Sequence, residues 1–260
     1  MLMGATPLVA VAERLRRATG NAPTASVFDE IVGSMSDAYA IQAINRQDWL
    51  VHGRSLAGYK VAFTTVESQK AFGADEPVYG TLFKDMRVGS GGTIPAGLLA
   101  APKVEGEVVL EIGKHLSGDA LDAASIRQAV AAVYPALEIP DSPIDGRLTA
   151  VDMAAANGAA AAYVLGPRVP IDEDFDLAAI ELTMKQNGKV AGSGVSSICM
   201  GDPLNVLVWL ANTLARTGTP MYAGQIVFAG SLIPIISAQP GDEFEATFKG
   251  LGTVAVGFGR

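Results

Sequence analysis

Residues 104–112 read Val104-Glu105-Gly106-Glu107-Val108-Val109-Leu110-Glu111-Ile112. The apolar residues around the acids describe a strand, and on a strand positions i and i+2 share a face. Glu105 and Glu107 therefore stand side by side, roughly 7 Å apart along the chain. Apolar neighbours on both sides place them in the interior rather than on a rim. Two carboxylates that close, away from water, repel each other and are poorly solvated. A divalent cation removes both problems. A carboxylate-only ligand set suits a hard ion such as Mg²⁺ or Mn²⁺. A third acid, Glu138, lies in Tyr134-Pro135-Ala136-Leu137-Glu138-Ile139-Pro140, where residues 136–140 read as a short buried strand. Glu111 shares the Glu105 face but falls further along, at the rim. The plainer readings are an exposed strand face paired with lysines for Glu105 and Glu107, and a core carboxylate paired with an arginine for Glu138.

Outward from this strand the pattern is mixed. Residues 6–19 put Leu8, Val11, Ala12 and Leu15 on one helical face. Ser36-Asp37 reads as the cap of a second helix carrying Ala40, Ile41, Ile44 and Leu50, ended by Gly53. These helices form a leader over residues 1–54, and a strand-rich body follows over 55–260. Within the body, residues 56–63 are strand-like, 66–72 have helical spacing, and Gly89-Ser90-Gly91-Gly92 marks a turn. Residues 122–134 show helical spacing of Ala, Ile and Val, and the Ala-rich stretch 152–164 reads as another helix. Asn187-Gly188 turns a hairpin within 180–195. Pro203 opens a helix over 203–215, with Leu204, Leu207, Val208 and Ala211 in register. Residues 225–230, 243–248 and 253–258 read as further strands. A helical leader before a strand-rich body with inserted helices is an α+β pattern, not a regular βαβ series.

Composition narrows the function. The chain has 260 residues, 49% of them apolar and 18% charged, enough for a sizeable core. A net charge of -8 with no basic stripe argues against a nucleic-acid surface. No uninterrupted apolar run reaches about 20 residues, so no membrane-spanning helix is expected. The start lacks the basic region of a secretion signal. Cys199, the single cysteine, fits a reducing compartment and reads as a small buried apolar residue. A cytoplasmic protein is the expectation. His52 and His115 follow a helix and a strand and read as solvated loop residues. No phosphate-binding or dinucleotide fingerprint is present.

Several spaced motifs carry a resemblance. They are Gly58-Tyr59-Lys60-Val61, Asp75-Glu76-Pro77-Val78-Tyr79-Gly80, Pro102-Lys103-Val104-Glu105-Gly106-Glu107, Pro135-Ala136-Leu137-Glu138, Gly201-Asp202-Pro203-Leu204, Ala223-Gly224-Gln225-Ile226-Val227 and Gly250-Leu251-Gly252-Thr253-Val254. In order and spacing the chain resembles the 2-keto-4-pentenoate hydratase and 4-oxalocrotonate decarboxylase group of the fumarylacetoacetate hydrolase superfamily, over nearly its full length. The resemblance implies a mixed β-roll or barrel body behind a short helical N-terminal leader, assembled as a homo-oligomer. It implies a divalent metal, Mg²⁺ or Mn²⁺, on Glu105, Glu107 and Glu138, chelating the carboxylate and 2-oxo oxygens of a 2-oxo acid. It implies that Lys60 is the active-site lysine, and that no organic cofactor is needed because the metal serves as the electron sink. A buried lysine in an apolar strand is costly and usually functional, which agrees.

The departures from the group's pattern bear on substrate. Hydratases of the group usually carry an aspartate where this chain has Val78, and the decarboxylases an aliphatic residue. The usual Asp-Asn-Ala-Ser segment is here Ala156-Asn157-Gly158-Ala159, which keeps only Asn157 of its polar residues. An arginine-containing stretch after Glu138 is replaced by Ser142-Pro143-Ile144-Asp145-Gly146. The pocket beyond the metal is therefore expected to be less polar, with Val78, Asn157, Ser231 and Lys60 as its substrate-facing residues. Hydration of a 2-hydroxypenta-2,4-dienoate-like acid is the first expectation. Metal-dependent decarboxylation of a 4-oxalocrotonate-like diacid is the alternative, favoured by Val78. A further one is a non-catalytic protein that binds a 2-oxo acid, or a partner subunit for another enzyme of the pathway. Carbon–carbon hydrolysis of an acylpyruvate needs a water-activating base, for which neither histidine is a convincing candidate.

Overall fold

The computed structural model describes residues 7–18, 22–118, 121–172 and 174–260. Two helices come first, α1 (Pro7–Arg17) and α2 (Met35–Val51), the latter capped by the Ser34 hydroxyl, which accepts from Asp37 N. The body runs through β1 (Leu56–Ala62), α3 (Val66–Phe72), β2 (Val78–Phe83), β3 (Arg87–Val88), β4 (Gly92–Ile94) and β5 (Lys103–Ile112). Next come α4 (Ala123–Arg127), β6 (Val130–Pro140), α5 (Ala150–Ala155), β7 (Ala160–Leu165) and β8 (Val169–Pro170). The remainder is β9 (Glu181–Gln186), β10 (Lys189–Val195), α6 (Pro203–Arg216), β11 (Ile226–Ser231), β12 (Ile236–Ser237), β13 (Glu243–Phe248) and β14 (Gly252–Phe258).

These strands form two sheets. The larger has the order β2-β1-β11-β5-β6-β7-β3, with β12 beside β5 and β8 beside β6. The smaller has the order β10-β9-β13-β14-β4. Asn187 and Gly188 both take positive φ, 53° and 77°, so β9 and β10 meet in the tight turn that Asn-Gly favours. Between the sheets lies the main core. Val108, Leu110 and Leu137 of the large sheet meet Leu182, Phe244 and Val256 of the small one, with Leu207 and Leu210 of α6 alongside. By length and composition residues 196–216 would suffice for a membrane span, but Val206, Leu207, Leu210 and Leu214 are buried in this core. The α+β mixture of curled sheets and helices is the fold the motifs imply.

The N-terminal helices and the segment between them join the sheets by apolar contact and by hydrogen bonds. Val11, Leu15, Ile41, Phe63, Val78 and Ala154 form one buried cluster. Gln42 Nε2 donates to Tyr79 O at 2.9 Å and Ala154 O at 2.8 Å. Asp152 accepts from Val27 N and Ser26 Oγ, both at 2.8 Å.

Four expectations need correction. The cap of α2 is Ser34 rather than Ser36-Asp37, because the helix already begins at Met35. The helix over 122–134 is only Ala123–Arg127, capped by Asp122, whose carboxylate accepts from Ser125 N at 2.7 Å. The strand placed at 136–140 begins at Val130 and runs eleven residues, because Val130 to Pro135 pair with β5. The helix over 152–164 stops at Ala155. Asn157, Gly158 and Ala159 take φ of 58°, 64° and 57°, and residues 160–165 become a strand against β6. In both misread stretches sheet pairing overrides the helix preference of alanine.

Candidate metal centre

β5 and β6 build the centre. In their antiparallel register Glu105 faces Glu138 and Glu107 faces Ala136. Directly opposed residues share a face, so all three glutamates project to one side of the large sheet. One oxygen from each lies within 4.8 Å of the others. Glu107 and Glu138 are 1% and 0% exposed, while Glu105 is partly open to solvent. Lys60 arrives from β1 on the same side, with Nζ 3.1 Å from Glu138 Oε1. Apart from this ion pair, the buried oxygens of Glu138 have no hydrogen-bond partner. Val109, Ala136, Tyr163 and Phe228 form the apolar floor on this face.

A fourth contact fixes Glu107. β11 shifts register between Phe228 and Ser231, and there Gly230 N donates to Glu107 Oε2 at 2.8 Å. Gly230 has φ 99°, and a Cβ on it would lie 2.2 Å from Thr64 Oγ1, so only glycine fits. Cys199 supports the same bend, its thiol donating to Gly230 O at 3.3 Å. Burial, with the nearby Glu107 charge, pushes that thiol up to about 12, which leaves it a packing group rather than a nucleophile. Sequence reasoning missed Gly230. A glycine between a strand residue and Ser231 was the available signal.

The electrostatics match the geometry. Burial raises Glu105 to about 7, helped by Glu138 and opposed by Lys60 and Lys103. Burial, then Glu138 and Glu105, holds Glu107 well above the ordinary carboxylate range. Burial pulls Lys60 down, but the attractions of Glu138, Glu105 and Glu107 together outweigh it, so its proton is held more tightly than usual. Three carboxylates thus face one buried ammonium, with Lys103 exposed at the edge. A divalent cation would bring the cluster to neutrality and take up the orphaned oxygens of Glu138, so the residues fit the ion.

That arrangement sets a pH dependence. A carboxyl whose folded pKa is raised favours the fold below its unfolded value of 4.5, and loses that contribution as pH rises through about 7. A cation needs the ionised form, so it gains affinity over the same window. The rise in melting temperature caused by Mn²⁺ is expected to be small near ~pH 5.5 and large near ~pH 8. An equal rise at both would place the ion elsewhere.

The sequence profile described as Fumarylacetoacetate (FAA) hydrolase C-terminal matches residues 55–258. The chain belongs to the fumarylacetoacetate hydrolase family. Within the family it is 38% identical over 252 residues to the 2-keto-4-pentenoate hydratase 2 of Dechloromonas aromatica (strain RCB), covering 96% of each chain. It is 39% identical over 226 residues to the TodF product hydratase of Pseudomonas putida (strain F1), covering 86% of this chain and 84% of that one. The solved 4-oxalocrotonate decarboxylase from Pseudomonas putida G7, complexed with magnesium and adipate, superposes with a TM-score of 0.92 at 27% identity, covering 96% of this chain and 97% of that one.

The remaining candidate residues are spread around the centre. Val78 pairs with Ala62, two positions from the Lys60–Gly80 pair, so it shares the lysine's face, fully buried and apolar. Ser231 pairs with Glu107, and its hydroxyl donates to Ile233 O at 2.7 Å. Asn157 sits against β2 with both polar ends committed: Oδ1 accepts from Thr81 N at 2.7 Å and Nδ2 donates to Thr81 O at 2.9 Å. It presses the turn onto Gly80, where a Cβ would lie 2.1 Å from Asn157 O, and the adjoining Gly158 lies against the Lys60 stem. Asn157→Ala leaves two buried backbone groups unpaired, each costing about 1–3 kcal/mol. A thermal melt well below that of the parent protein is expected, and an unchanged melt would contradict the clamp. His52 caps α2, and His115 Nδ1 accepts from Ala223 N at 3.0 Å; both belong to the periphery.

Proposed function

We propose that the protein is a lyase acting on a short 2-oxo or 2-hydroxydienoic acid, with one Mg²⁺ or Mn²⁺ held by Glu105, Glu107 and Glu138. The convergence of three carboxylates beside a single buried ammonium carries this reading. The magnesium named with the related decarboxylase supports it. Such a cation supplies Lewis acidity at the substrate's carboxylate and 2-oxo oxygens.

The chain's own residues do the rest. Lys60 holds a proton at Nζ within the acidic cluster, and either steadies the substrate carboxylate or moves that proton to and from the substrate carbon chain. The apolar floor excludes water from the reacting carbons. Hydration of a 2-hydroxypenta-2,4-dienoate-like acid comes first, because several relatives over most of the chain are named hydratases. Decarboxylation of a 4-oxalocrotonate-like diacid is the second reading. The fully buried Val78 favours it, since no polar side chain stands there to place a water on the distal alkene carbon. The same proposal has the protein working in the cytoplasm as a homo-oligomer.

Purified protein with Mg²⁺ or Mn²⁺, incubated with dienol and diacid in turn, separates the readings. A new 2-oxo-4-hydroxy acid means hydratase, and CO₂ release means decarboxylase. No turnover on either, with tight oxalate binding, would replace both with a binding role.

A further inference from the structure

Tyr59 and Thr81 are paired across β1 and β2, and each is one residue from the Lys60–Gly80 pair. Alternate residues of a strand face opposite ways. Tyr59 and Thr81 therefore look away from the acidic centre, into a separate cavity of about 470 Å³ between α2, the β1–β2 edge and α6. Its lining includes Arg46, Tyr39, Tyr79 and Thr213.

This cavity holds unmet hydrogen-bonding capacity. Arg46 Nε and Thr81 Oγ1 are buried and lack a well-formed partner. Tyr59 and Thr81 are 1% and 0% exposed. Arg46 stands within hydrogen-bonding reach of the Tyr59 hydroxyl, and its charge and that contact partly offset the upward push of burial on the phenol, which leaves Arg46 Nε and Thr81 Oγ1 as the unmet donors. Among the described residues no carboxylate lines the cavity and none forms an ion pair with Arg46. Buried polar groups without partners are rare in native proteins and call for an occupant. A guanidinium and two hydroxyls, from three different elements, suit an anion with several acceptor oxygens. Much of the remaining wall is aromatic or aliphatic, with Tyr39, Tyr79, Ala40, Ala43 and Leu214 beside hydroxyl-bearing residues of α6 and the turn after it. Tyr39 stacks on Tyr79 at 4.7 Å, and Tyr59 meets Tyr79 edge-on at 6.2 Å.

We infer that this cavity is a second binding site, distinct from the metal centre, for a small organic carboxylate with a flat unsaturated body. The carboxylate pairs with Arg46 and receives the Tyr59 and Thr81 hydroxyls, and the body lies along the tyrosine rings. Because β1 and β2 carry Lys60 and Gly80 on their other face, the occupant rests on the same two strands that position the lysine.

The test is calorimetric titration of the full-length protein with benzoate, with Mg²⁺ and saturating oxalate present to fill the metal centre. One benzoate per chain is expected. Arg46→Gln should weaken binding at least about tenfold, since a charge-assisted contact is lost. Tyr59→Phe, which keeps the ring, should weaken it less, and Glu107→Gln should leave it unchanged. Absence of binding overturns the inference, as does binding lost in Glu107→Gln but kept in Arg46→Gln. Inorganic phosphate binding as tightly as benzoate would overturn the role given to the rings. Gel filtration of Arg46→Gln supplies a further arm: a smaller assembly would mean that a second copy of the chain covers the cavity, and would overturn the inference.

Discussion

Glu107→Gln is expected to lose more than about a hundredfold in metal affinity while folding normally. Even residues that only support a ligand cost about 10–100-fold when removed, and Glu107 is one of three groups that could carry the ion's charge. The amide keeps the shape and can still accept from Gly230 N, so the β11 bend should persist. The metal-free variant should be at least as stable as the parent, because one of three mutually repelling buried charges is gone. Mn²⁺ titration followed by calorimetry reads the affinity, and an EDTA-treated melt reads the fold. EDTA should abolish the parent's activity, with Mg²⁺ or Mn²⁺ restoring it. A Glu107→Gln protein with parental metal affinity and turnover would sink the assignment of the centre.

Lys60→Met should lower turnover by about 10²–10⁴-fold, the range for a positioned proton donor or acceptor. Methionine matches the stem but removes the cation. In the metal-free protein the change also strips the carboxylates of their buried ammonium. Removing a partner from a buried pair costs about 3–5 kcal/mol, so the EDTA-treated melt should fall sharply. Saturating Mn²⁺ should recover most of that stability without recovering turnover. This split separates a chemical role from a structural one. If turnover remained at the parental level, Lys60 would be a counter-charge alone.

The Glu105–Glu107 pair was legible because its chemistry is local, whereas the joining of Glu138 and Lys60 to it rested on the family resemblance. A strand period of two puts Glu105 and Glu107 together without knowledge of anything else, and an apolar context marks Glu138 and Lys60 as costly to bury. What escaped depends on partners distant in sequence. β6 carries alanines and valines at a spacing that also suits a helix, and only its pairing with β5 makes it a strand. The run 160–165 is strand for the same reason, once the left-handed turn at Asn157 has reversed the chain. The commitment of both Asn157 ends to Thr81, and the reach of Gly230 to Glu107, span 76 and 123 residues. No local pattern encodes either. The hairpin at Asn187-Gly188 was readable because turn chemistry is short-range.

The face-to-face seating of Glu105 and Glu138 has a kinetic corollary. Like charges directly opposed across two strands disfavour that alignment, and a slip of one residue would turn every side chain of β6 over. Refolding at neutral pH without divalent ions should therefore be slow at the step that zips β5 to β6. Added Mn²⁺ should speed that step, so that the ion acts as a template for strand alignment before it ever meets a substrate.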